Sequence, residues 1–235
     1  MERLTVSKSK QQNEYLASCI EGSSALNIST DIIREPSLLY YISKRLIDII
    51  LATLGMVVLM PIFLAIAICI KLDDAGEVLY RREMIGLQGR RFIILKFRTM
   101  IPNADAYLEQ YPELMLEYQK NMKLKHDPRV TRVGGFLRKT ALDELPQLLN
   151  VLVGHMSLVG PRSLPASELM RYGEYAKKRL TVKPGITGLW QISERRHISY
   201  DERIPLDMQY IDNHSIFLDL VILVKTPIVI IVHAK

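Results

Sequence analysis

A predominantly helical α+β fold is what this sequence predicts, and three observations predict it. An apolar tract from Ile49 to Ile70 runs for 22 residues without a charge, with Pro61 in its middle. Two β-rich segments, Val78-Leu79-Tyr80 and Arg91 to Phe97, flank Gly86-Leu87-Gln88-Gly89, the pattern of a small β-hairpin. Residues 103 to 123 and 165 to 180 carry helical patterning. With 235 residues, 49% of them hydrophobic, the chain can bury one sizeable core with appendages.

Taken in order, residues 1–39 read as a tail rich in Ser, Lys, Gln and Asn, with a short apolar pattern around Ala25 to Ile33 and no assigned function. Residues 40–72 form an anchor. As one helix, the uncharged tract would extend about 33 Å, enough for a bilayer core of about 30 Å. It lies too deep in the chain for a cleavable signal peptide. Pro61 removes a backbone donor and clashes with the preceding turn, so a kink is expected there. Lys44 and Arg45 precede the tract while Lys71, Arg81, Arg82, Arg90 and Arg91 follow it, so both flanks carry the basic excess of a cytoplasmic side. A helix that bends near Met60-Pro61 and returns to the same face satisfies both observations; simple spanning stays open.

Residues 73–235 follow as one domain. Its last stretch, Ile216 to Val232, is apolar but interrupted by Asp219, Lys225 and Pro227, which favours an interfacial amphipathic helix over a second span and leaves a buried core helix as the alternative. The formal charge of +6 calls for an anionic partner such as nucleic acid, lipid headgroups or a phosphorylated substrate. No basic reading helix, aromatic RNA motif or finger spacing is present, which sets nucleic acid aside. Cys19 and Cys69 are far apart and exclude a disulfide framework, in keeping with a reducing, cytoplasm-facing setting. The histidines at 126, 155, 197, 214 and 233 lack zinc-ligand spacing.

The chemistry concentrates in Thr140-Ala141-Leu142-Asp143-Glu144-Leu145-Pro146-Gln147. Two adjacent carboxylates stand there among Arg129, Arg132, Arg138, Lys139 and Arg162, so a phosphate could be held where a carboxylate attacks it. Thr140 with Asp143 also reads as a helix capping box, with Pro146 in the first turn of a helix carrying Gln147 to Leu152. A capped, solvated helix start is the bland meaning of an Asp-Glu pair.

Three stretches give the pair its context: Lys96-Phe97-Arg98-Thr99-Met100; Asp127-Pro128-Arg129-Val130-Thr131-Arg132-Val133-Gly134, continuing to Met156-Ser157-Leu158-Val159-Gly160-Pro161-Arg162; and Lys183-Pro184-Gly185-Ile186-Thr187-Gly188-Leu189-Trp190-Gln191. In this order and spacing, from Tyr40 to about Thr226, the chain resembles the bacterial sugar transferases known as monotopic phosphoglycosyl transferases. The resemblance implies a re-entrant membrane helix-break-helix beneath a cytoplasmic catalytic domain on the bacterial inner membrane. It further implies transfer of a sugar 1-phosphate from a UDP-sugar to undecaprenyl phosphate, starting a lipid-linked glycan for exopolysaccharide, capsule or O-antigen. In that reading Asp143 is the nucleophile and forms an aspartyl phosphosugar, UMP leaves, and Glu144 binds Mg²⁺. Lys96, Arg98, Arg129, Arg138 and Arg162 are the candidate phosphate contacts, each with an ion-pair or capping role as the alternative.

His155, Ser163, Arg82 and Met84 depart from the family pattern, and Trp190 stays unassigned between base stacking, core and membrane belt. Neither the sugar nor a homodimer is fixed by these motifs. A non-catalytic membrane-anchored adaptor is the rival class, and in it Asp143 is dispensable.

Overall fold

The computed structural model describes residues 37–121, 124, 126–193 and 199–234. The expected tail up to residue 36 lies outside the described residues. The apolar tract forms not one helix but two, α1 (Leu38–Val58) and α2 (Met60–Asp73), bent by 60° at the break. Ser37 caps α1 through its hydroxyl, and Leu59 bonds back to Gly55 O. Pro61 then sits in the first turn of α2, where its missing N–H costs nothing. The break falls one residue before the expected position. No single helix among the described residues is long and apolar enough to cross a membrane.

Both arms are largely uncovered. In α1 only Asp48 and Ala52 are buried, while Leu46, Ile50, Leu54 and Val57 on α1 and Leu64 on α2 are more than half exposed. An apolar surface this extensive requires a cover other than water.

The hairpin follows as predicted, with β1 (Leu79–Ile85) antiparallel to β2 (Arg91–Phe97) in the register Leu79 opposite Phe97 and Ile85 opposite Arg91. The other edge of β2 is met by a side chain: Asn150 accepts from Leu95 N at 3.0 Å and donates to Ile93 O at 2.7 Å. Residues 103–123, expected to be helical, form α3 (Ala104–Glu109) and α4 (Pro112–Asn121), with Pro112 starting a new helix after Tyr111.

Next come α5 (Arg132–Thr140), α6 (Gln147–Val153) and β3 (Ser157–Val159). Thr131 caps α5 at Gly134 N, and a Cβ at Gly134 would lie only 2.1 Å from Thr99 O. Only glycine lets α5 pack this tightly on the chain leaving β2. The segment 165–180, also expected to be helical, consists of α7 (Ala166–Leu169), a 3₁₀ stretch Met170–Tyr175 broken at Gly173, and α8 (Ala176–Arg179). A left-handed glycine cannot continue a helix.

Strand β3 pairs in parallel with β4 (Gly185–Thr187), Ser157 opposite Gly185 and Val159 opposite Thr187. Their backbones approach so closely that a Cβ at Gly160, Gly185 or Gly188 would fall within 2.6 Å of main-chain atoms. The chain closes with α9 (Tyr200–Asn213) and α10 (Ile216–Ala234). Helix α10 is buried on one side and uncovered on the other: Ile222 and Asp219 are buried, while Phe217, Val224, Ile228 and Ile231 are exposed.

The main core joins Phe92 and Ile94 of the hairpin to Val151, Met156, Val159, Ile211 and Ile222, and Ala52 of α1 belongs to it. A smaller cluster of Ile66, Ile70, Phe97 and Leu137 seats α2 against the hairpin and α5. Polar bonds reinforce the α1 contact. Lys44 pairs with Asp219 at 2.7 Å, Arg45 donates to Val151 O and Leu152 O, and Asp48 accepts from Ser157 Oγ and Leu158 N.

Candidate active site

The Asp143-Glu144 pair sits on a one-turn 3₁₀ segment, Leu142–Glu144, wedged between α5 and α6. The expected capping box at Thr140 does not form. Thr140 instead ends α5, with its hydroxyl turned back on Phe136 O and Leu137 O, and Ala141 terminates the helix at φ 55°. An amphipathic helix already occupies the residues before the pair, so the threonine meets a C-terminus and bonds backward. A left-handed alanine costs on the order of 1 kcal/mol, and that cost lies directly before the two carboxylates.

Lys96 Nζ and Arg162 Nη2 both donate to Glu144 Oε1, at 2.9 and 2.8 Å. Lys96 comes from the end of β2 and Arg162 from the loop after β3, so the two cations reach one oxygen from opposite sides. Burial alone would raise Glu144, but the charges and hydrogen bonds of Arg162 and Lys96 outweigh it and hold the carboxyl down at about 2. Lys96 shifts downward through burial and the neighbouring Arg162 charge, while Glu144 draws Arg162 upward.

Asp143 differs from its neighbour in its hydrogen bonding and in the direction of its shift. It is half-buried, and among the described residues no hydrogen bond reaches its carboxylate. Burial and the adjacent Glu144 charge push it above the usual carboxylate range, against the pull of Lys96, Arg162 and Arg138. The result is a basic, unclaimed carboxylate facing three cations, the combination that suits attack on an anionic phosphorus.

The remaining candidates divide. Arg138 donates to Thr99 Oγ1 at 2.9 Å and contributes its charge to Asp143. Arg129 is buried in a two-pronged pair with Asp127 at 2.8 Å, its guanidinium over the Tyr118 ring. Arg98 pairs with Asp74 at 3.0 Å and donates to Asp74 O and Glu77 O, tying the hairpin to the end of α2. Lys96, Arg138 and Arg162 therefore surround the acidic pair, whereas Arg98 and Arg129 are engaged in ion pairs. Of the departures, Met84 fills the core, Ser163 is buried, and His155 lies on the surface beside the Phe92 ring. Trp190 packs under the Arg203 guanidinium at 4.5 Å.

Sequence reasoning missed Arg179. It is 2% exposed, and its Nη2 donates to Pro161 O and Arg162 O, fixing the backbone that delivers Arg162. Its charge is answered by the fully buried Asp207, which also accepts from Tyr172 at 2.7 Å. Nothing in the linear order sets it apart, because Arg179 follows Lys177 and Lys178 in a charged stretch.

No group of three or more His, Cys, Asp or Glu converges among the described residues, so there is no cage made by protein alone. Mg²⁺ needs none when phosphate oxygens complete its shell. Glu144 Oε2 accepts no hydrogen bond from the described residues, and with Asp143 it offers two carboxylates to an ion shared with a diphosphate. The donor set fits such a shared ion.

Comparison with known proteins places the chain among sugar transferases. The chain is 46% identical over 189 residues to the exopolysaccharide production protein ExoY of Sinorhizobium fredii, covering 79% of this chain and 84% of that one. It is 41% identical to the undecaprenyl-phosphate galactose phosphotransferase of Salmonella typhimurium, over 80% of this chain and 40% of that protein. A third relative is the UDP-glucose:undecaprenyl-phosphate glucose-1-phosphate transferase of Escherichia coli, 37% identical over 78% of this chain and 39% of its own length. The chain thus spans well under half of these two longer relatives. The bacterial sugar transferase family matches residues 39–233, which include both arms of the bent helix pair, the acidic pair and all three cations around it, and the chain belongs to that family.

Proposed function

We propose that this protein transfers a sugar 1-phosphate from a UDP-sugar to undecaprenyl phosphate at the inner face of the bacterial cytoplasmic membrane, by way of a covalent aspartyl intermediate. The observation that carries the reading is the contrast within the pair: Glu144 is fastened by Lys96 and Arg162, while Asp143 is held by no hydrogen bond and keeps its basicity raised. An Asp143 oxygen attacks the β-phosphorus of the donor, and the bond to the bridging oxygen breaks as UMP departs with the electron pair. The lipid phosphate then attacks the same phosphorus and frees the Asp143 carboxylate. Lys96, Arg138 and Arg162 orient the diphosphate and spread its charge, so that a carboxylate can approach an anion. Mg²⁺ bound at Glu144 together with the diphosphate supplies further charge neutralisation.

The bent pair α1–α2 is read as a re-entrant anchor. Its two arms leave and rejoin the same domain, through Lys44–Asp219 at one end and Arg98–Asp74 at the other. In this reading the site lies at headgroup level, where a lipid phosphate meets a nucleotide sugar arriving from water. The test is UMP release by detergent-solubilised protein with Mg²⁺ and a panel of UDP-sugars, with and without undecaprenyl phosphate, beside Asp143→Asn. Release that requires Asp143 and turns over repeatedly only with the lipid supports the proposal. Equal release by Asp143→Asn overturns the assigned nucleophile, and silence from the folded wild type across the panel favours the adaptor.

A further inference from the structure

At the end of α6 opposite to the acidic pair, two cations face each other across Gly154. A Cβ built on this left-handed glycine (φ 93°) would lie 3.4 Å from Arg45 Nη2 and 3.8 Å from Lys183 Nζ. Arg45 is accounted for by the fold, since it donates to Val151 O at 2.6 Å and Leu152 O at 2.8 Å and so caps the C-terminus of α6. Lys183 is not. It is half-buried, and its ammonium meets no acceptor among the described residues.

The surrounding charges do not balance it. Lys44 is matched by Asp219, which leaves Asp48 as the carboxylate acting on Lys183, and Asp48 is already bonded to Ser157 Oγ and Leu158 N. Burial, with the Arg45 charge added, lowers the pKa of Lys183, which a bound anion would reverse. The place itself points to the anion. Val153, next to Gly154, is 68% exposed, and Leu46 and Ile50 on α1 are likewise uncovered. The two cations therefore stand at the rim between an apolar surface and a charged domain, the level at which phospholipid phosphates lie.

We infer that Arg45 and Lys183 form a binding site for the phosphate of an anionic membrane phospholipid, separate from the Asp143-Glu144 centre and on the flank of the anchor. The inference rests on the membrane reading of α1–α2. Arg45 is pre-positioned by the α6 carbonyls, so a headgroup phosphate needs only Lys183 to close on it.

The experiment uses the full chain and separates the two readings. Flotation with neutral phosphatidylcholine vesicles tests the anchor alone, and wild type and Lys183→Gln should both float; failure of both overturns the membrane reading itself. Phosphatidylglycerol is then titrated into the detergent-solubilised protein and the thermal unfolding midpoint followed. Wild type should be stabilised at about tenfold lower phosphatidylglycerol than Lys183→Gln, with Lys183→Arg restoring the response and Lys177→Gln matching wild type. An identical response from wild type and Lys183→Gln overturns the site. If inorganic phosphate alone gives the wild-type shift and Lys183→Gln loses it, the ligand is free phosphate and the lipid assignment falls.

Discussion

Arg179 holds Arg162 by its main chain: Nη2 of the former lies 2.6 Å from the carbonyl oxygen of the latter. The side chain of Arg162 is thereby free to reach Glu144, and the buried Asp207 behind Arg179 steadies the arrangement. Arg179→Gln should lower kcat/KM about tenfold or more through weaker donor binding, while phosphosugar-enzyme formation at saturating donor persists. A loss confined to thermal stability, with KM unchanged, would assign Arg179 to the fold alone.

Asp143→Asn should abolish turnover and yet make the protein more stable near neutral pH. The sign follows from the raised carboxyl: the folded state binds its proton more tightly than the unfolded chain, so ionisation above the usual carboxylate pKa costs folding free energy. Asparagine removes that cost. A higher melting temperature with no UMP release is the expected pair of results, and a lower melting temperature contradicts the electrostatic account.

Glu144→Gln should have the opposite effect on stability, because it leaves Lys96 and Arg162 facing each other with Asp143 as their remaining counter-charge. The expected cost is about 3 kcal/mol, the usual order for removing one partner of a buried ion pair. In the wild type this contribution is intact above the ordinary glutamate value of 4.5 and drains away as pH falls toward about 2. Denaturant titrations at pH 7 and pH 3 should therefore bring wild type and Glu144→Gln closer together at the lower pH.

Asn150→Leu tests how the hairpin is held. It leaves Leu95 N and Ile93 O without their side-chain partner, at an expected cost of about 2 kcal/mol. Because Lys96 follows Leu95 directly, activity should fall further than the stability loss alone explains, measured at a temperature where the variant is still folded.

Pro61→Ala restores the backbone donor at the break and favours one continuous helix over residues 38–73, about 54 Å long. Tags on Met1 and Lys235 should report the same face in the wild type and a fraction of opposite-face molecules in the variant. Opposite faces in the wild type would refute the re-entrant anchor.

What the sequence disclosed was whatever depends on near neighbours. Pro61 announces the bend because its ring acts on the preceding turn, and Gly86 to Gly89 announces the hairpin because the turn is local. Thr140 misled for the same reason. Its spacing to Asp143 fits a cap, but whether a hydroxyl meets a helix start or a helix end depends on where α5 packs. The convergence of Lys96, Arg138 and Arg162 on the acidic pair came through family resemblance rather than through spacing, and Arg98 and Arg129 could not be told apart from them until their partners Asp74 and Asp127 were in view. Asn150 and Arg179 act on atoms tens of residues away or on backbone carbonyls, and neither kind of partner leaves a mark on linear order.

Glu144 Oε1 draws one partner from residue 96 and the other from residue 162. During synthesis the helix pair α1–α2 and the hairpin precede the second cation, which arrives only after β3 has been made and is fixed only once Arg179 has followed. A chain halted before that point leaves Glu144 with Lys96 and without its second cation. The acidic pair is therefore completed only when the later part of the chain folds back onto the hairpin.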